Sequence, residues 1–185
     1  MSGTVRGPLP QAHGRSFARQ GRRHVDRPEA HRLELRVDAA AGVYAGRLEL
    51  WALGPKGQLA YVAGGTSGQR VFVDGKPVSP AGFSASAPAF CDGPNGLFVV
   101  FAVGVGNGAD IVMTDVRGGG LVRLTQGQGQ NAYPACSSDG RLVAFFSTRK
   151  GDKGPGLYVA PVASPWRTRK ISSEVGESLR WDPLP

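Results

Sequence analysis

Few side chains here have the type and spacing for catalysis. The three histidines, His13, His24 and His31, all lie in the first 32 residues, so the rest of the chain holds neither an imidazole base nor an imidazole metal ligand. The aspartates of residues 74–182 (Asp74, Asp92, Asp110, Asp115, Asp139, Asp152 and Asp182) are scattered along the chain. Asp74 and Asp139 each precede a glycine, where turn formation outweighs catalysis as an explanation. The G-x-S-x-G elbow that exposes a hydrolytic serine is missing. The glycine-rich "GVGNGAD", Gly104–Asp110, looks superficially like a phosphate loop, but no helical pattern follows it. It reads instead as a connection between two strands. Cys91 and Cys136 have neither metal-site nor CxxC spacing, and two ordinary, partly buried thiols are favoured over a bridge. No catalytic, metal or cofactor residue is assigned, and the expectation is a protein that is not an enzyme.

Recognition is the chemistry the residues suit better. Polar, glycine-bounded loops carry Asn107, Gln126, Gln128, Gln130, Asn131, Arg149, Lys150, Asp152, Lys153, Glu174 and Glu177. Loops held on a rigid scaffold are natural binding sites. The candidate partner-binding set is Asn107, Gln128, Gln130, Asn131, Arg149, Lys150, Asp152 and Lys153. Trp166, near a turn, is expected to pack rather than to anchor a partner.

The elements that must hold these loops are short. From Leu33 onward the apolar period is two, in segments such as "LELRV", "QLAYVAG", "RVFVDG", "LFVVFAV", "DIVMTDV", "RLVAFFS" and "GLYVAPV". Each is bounded by Gly, Pro, Asp or Asn, and no long window is an amphipathic helix. Twenty-eight glycines and fourteen prolines agree with many turns. The fold class is all-β. Residues 1–32 differ: they carry seven arginines against Asp26 and Glu29, with few apolar residues. They form an expected disordered basic tail, solvated rather than nucleic-acid-binding. No apolar stretch follows this charged start as a secretory signal would require. "LFVVFAVGVG" is too short to span a bilayer. As written, the chain is expected to stay in the cytoplasm.

The strands repeat. Pro88-Ala89 recurs as Pro134-Ala135, a step of 46, and Gly96 and Phe101 recur as Gly140 and Phe145, each a step of 44. A period near 45 holding four strands indicates propeller blades, because one twisted four-stranded sheet cannot bury both its faces and radial stacking covers them. Residues 33–185 are read as a partial β-propeller of four-stranded antiparallel blades. The blades fall at about 45–80, 85–125 and 132–172, with the start of another at 178–185. The second strand of each should be covered on both faces and the fourth should lie at the rim. The NG and DG turns should be tight primed turns. About three blades is fewer than the roughly 4–8 of a closed ring. An incomplete or open arc is favoured over a composite blade of residues 33–50 with 179–181, and over pairing of two copies through open edges.

At these residues the chain resembles the TolB-type propeller repeat, "SPxWSPDGxxIAFxSxRxGxxxIYVMxxxGGxxxRLT". In "YPACSSDGRLVAFFSTRKGDKGPGLYVAPV", Pro134, Ser138, Asp139, Gly140, Phe145, Ser147, Arg149, Gly151 and Tyr158 stand at matching positions. Phe90 and Cys136 replace the usual tryptophan. The resemblance implies a non-enzymatic scaffold for protein–protein interaction with an envelope protein partner. It also implies a periplasmic setting if the true N-terminus lies elsewhere. The alternative is a remnant or regulatory propeller of a prolyl-oligopeptidase-type hydrolase encoded elsewhere.

Overall fold

The computed structural model describes residues 50–65, 68–151 and 153–181. The chain divides into units Met1–His31 and Arg32–Pro185, and every described residue belongs to the second. The expected disordered tail, and residues 33–49 of the less favoured composite blade, lie outside the described residues.

Among the described residues twelve strands form three sheets, each in simple up-and-down order. The first sheet is β1 (Trp51–Leu53), β2 (Leu59–Gly65), β3 (Gly68–Val73) and β4 (Lys76–Pro77). The second is β5 (Ala85–Gly93), β6 (Gly96–Val105), β7 (Gly108–Asp115) and β8 (Val122–Arg123). The third is β9 (Asn131–Cys136), β10 (Leu142–Ser147), β11 (Gly156–Pro161) and β12 (Arg169–Ser172). All pairings between these strands are antiparallel.

The middle sheet shows why the sequence period matters. Alternate residues of a strand point to opposite faces. On β6, Val99, Phe101 and Val103 join Ala60, Val62, Val71 and Val73 of the first sheet in one core. The intervening Val100 and Ala102 join Val143, Phe145, Tyr158 and Ala160 of the third sheet in another. A strand covered on both faces reads as an almost unbroken apolar run, as "LFVVFAV" does. The first strands β1, β5 and β9 line one cavity of about 710 Å³, together with residues 177–181. The fourth strands are the opposite edges of the sheets. Three blades therefore stack with their first strands inward, and among the described residues no fourth sheet joins them.

Several expectations need correction. Cys91 and Cys136 are not separate thiols but a disulfide with Cα atoms 5.2 Å apart. They occupy β5 and β9, so the bridge ties the inner strands of consecutive blades. Sequence spacing could not reveal this, because the contact exists only once the blades stack. The NG and DG turns are not primed two-residue turns. Asn95 and Asp139 keep ordinary negative φ, and only the glycines are left-handed, at 113° for Gly96 and 66° for Gly140. The DG connection is a longer loop closed by Ser137 N–H donating to Leu142 O at 2.9 Å. A true two-residue primed turn is Asp74-Gly75, with φ of 47° and 80°, between β3 and β4. Residues 178–181 form no strand, although the Trp181 indole N–H donates to Ala135 O of β9 at 2.8 Å; residues 182–185 lie outside the described residues.

The repeat also carries a feature hidden in its prolines. Ala87 and Tyr133 are left-handed, with φ of 50° and 53°, and each precedes the proline that marks the 46-residue step. The β5–β6 and β9–β10 registers both shift beside them. Equivalent β-bulges thus bend the inner strands of two blades.

Candidate functional site

The candidate recognition residues come from the connections between second and third strands and from the joins between blades. Gly106-Asn107 is a two-residue turn between the paired Val105 and Gly108. Gly106 takes φ of 56°, which a glycine at the first turn position supplies without steric penalty. The join Thr125–Gln130 is tied back to the start of β7. Ala109 N–H donates to Gly129 O at 3.1 Å, and the Gln130 side-chain amide donates to Asn107 O at 2.9 Å.

Two of the eight candidates are internal ties. Asn131 is fully buried and its amide donates to Ala109 O at 2.8 Å, linking β9 to β7. Arg149 stacks over the Tyr158 ring, 4.0 Å from its centroid, and lies 5.6 Å from that of Phe145. Its Nε donates to Ser147 Oγ at 2.9 Å. Burial holds the Arg149 pKa below the usual guanidinium value. Asn107, Gln128, Gln130, Lys150 and Lys153 are exposed. Asp152 lies outside the described residues.

The structure brings most of these together. Asn107, Gln128, Gln130, Arg149 and Lys150 line one depression of about 610 Å³. Gln128, Arg149 and Lys153 also line a cleft of about 390 Å³, shared with Arg123, Gln126 and Trp166. Trp166 is the clearest departure from expectation. It sits in a single 3-10 turn, Pro165–Arg167, and is 80% exposed. A rigid turn with proline at its start presents the indole to solvent instead of to the core.

Beneath the cleft lies a buried carboxylate. Asp110 is fully buried and accepts hydrogen bonds from Arg123, from Thr125 Oγ1 at 2.8 Å and from Gly127 N–H at 2.8 Å. Burying a charge requires such partners. The same corner recurs with other chemistry in the first blade, where Arg70 Nε donates to Ser79 O at 3.2 Å. In both blades a hydroxyl accepts the N–H of the third strand: Ser79 from Val71 at 3.0 Å, Thr125 from Ile111 at 2.9 Å. Asp110 is thus placed as a structural knot that sets the path of the join. Among the described residues no three His, Cys, Asp or Glu side chains converge as a metal site would need, and no helix is long and apolar enough to cross a membrane.

A structural comparison matches TolB from Acinetobacter baumannii, with TM-score 0.50 and 19% identity, over 63% of this chain and 30% of that one. The fold is a TolB-like partial β-propeller. The TolB-like blades also match hydrazine synthase of Kuenenia stuttgartiensis, with TM-score 0.47 and 18% identity, over 74% of this chain and 42% of that one; this second match is too distant to carry an argument. The chain spans less than half the length of both of these structures. Neither a family model nor a curated protein matches the sequence.

Proposed function

We propose that the protein is a non-enzymatic scaffold that binds a protein partner through the loops joining its TolB-like blades. The observation that carries this reading is the convergence of Asn107, Gln128, Gln130 and Lys150 around one solvent-filled depression. The loops rest on backbone hydrogen bonds between blades, so they are pre-ordered and lose little conformational freedom on binding. The Cys91–Cys136 disulfide supports an oxidising, periplasmic-type setting, because reducing compartments keep thiols unpaired. An envelope protein is the partner class in keeping with that setting.

Photo-crosslinking of the full chain in its own cells tests the reading. A benzophenone side chain placed at Gln128 or Lys150 is expected to give a discrete adduct with another protein. The same group at Lys56, in the β1–β2 connection, should give none. Equal labelling from all three positions, or none from Gln128 and Lys150, would remove the basis for a binding face. An adduct with a hydrolase would favour the regulatory-propeller alternative.

A further inference from the structure

The cleft beside Trp166 has a chemistry of its own. It runs between the outer strand of the second blade and the 3-10 turn that leads into the outer strand of the third. Among the described residues its lining holds Arg123, Arg149 and Lys153, the amides Gln126 and Gln128, and no acidic residue. The carboxylate that touches one of these cations, Asp110, is already buried under Arg123 and saturated by Thr125 and Gly127. Asp110 thus neutralises Arg123, and the positive field of the cleft comes from Arg149 and Lys153. Arg167 follows Trp166 and is exposed. An indole left 80% exposed offers a large apolar area for a partner to cover. At interfaces, tryptophan and arginine are the residues that most often dominate binding energy.

We infer that this cleft receives a short acidic segment of a partner protein, with an apolar side chain laid on Trp166 and carboxylates against Arg149 and Lys153. The inference rests on the scaffold reading and specifies its partner's chemistry. Charge complementarity chooses the acidic peptide, and the indole chooses an apolar residue within it. Arg149 is already aligned by Ser147 and the Tyr158 ring, so it meets a carboxylate without reordering.

Fluorescence anisotropy of the full chain tests this with a short fluorescein-labelled peptide of Asp and Glu carrying one central Leu. Trp166→Ala is expected to weaken its binding about tenfold or more, and Trp166→Phe to retain most of it. Lys153→Glu should weaken it further, and added salt should lower the affinity of the unaltered protein. Both positions are exposed, so melting temperature should not move. Equal affinity for the Asn/Gln counterpart peptide, or indifference to Trp166→Ala and Lys153→Glu, overturns the inference. Stronger binding of a heparin fragment or of single-stranded DNA, with the same dependence on Trp166, overturns the peptide assignment. Absence of peptide binding alongside intact crosslinking from Gln128 sinks the cleft and leaves the scaffold standing. Absence of both sinks the two together.

Discussion

Asp139 and Asp115 show what a single side chain in a turn can do for the whole chain. Asp139 accepts from Ser137 Oγ at 2.6 Å and from Arg141 N–H at 3.1 Å; Asp115 accepts from Arg117 N–H at 2.6 Å and Gly119 N–H at 3.1 Å. These hydrogen bonds hold both pKa values below the usual aspartate range: the Gly119 and Arg117 amides lead at Asp115, the Ser137 hydroxyl at Asp139. A depressed folded pKa stabilises above the unfolded value, near about 3.9, and that gain disappears as pH falls through the folded value. The melting temperature is therefore expected to fall on acidification below about pH 4. In the double variant Asp115→Asn, Asp139→Asn this acid limb should be shallower, as a pH series of thermal melts would read directly. The turn role of Asp139 was legible in the sequence because its partners are two residues away. The roles of Asn131, Arg149 and Trp166 were not. Asn131 depends on Ala109, 22 positions distant, Arg149 on the Tyr158 ring that the β10–β11 pairing brings beneath it, and Trp166 is exposed because its proline-led turn stands clear of both cores.

At the level of strands and turns, period-two alternation identified the elements, since residues such as Phe101 and Val100 must bury opposite faces. Contacts between elements were less accessible. Gly140 was readable as a turn residue, yet its second duty is to let the DG loop approach the end of β5. A Cβ on Gly140 would fall inside van der Waals contact with Gly93 Cα and Asp92 O, and its φ of 66° already strains any side chain. Gly140→Ala should cost about 3 kcal/mol, measured as a lower urea midpoint with unchanged slope. Gly57→Ala provides the comparison: its φ is also positive at 81°, but nothing lies within 4 Å of the added methyl. It should cost only about 1 kcal/mol. Equal losses in the two variants would mean that the inter-blade approach contributes nothing.

For the molecule as a whole, sequence repetition disclosed the blades, but the bond that secures two of them could be seen only after stacking. Cys91 and Cys136 close a loop of 45 residues, and loop-closure entropy puts the stabilisation near about 4 kcal/mol. Reduction, or Cys91→Ser with Cys136→Ser, should lower the unfolding free energy by about that amount, read from urea curves with and without reductant. An unchanged curve would exclude a formed bridge in solution. The same bond reroutes mechanical tension. A pull on the two ends of the chain would pass from β5 straight through sulfur into β9, bypassing β6, β7 and β8. Those strands could open without lengthening the tether, so about 150 Å of slack polypeptide stays locked away from any force applied at the ends.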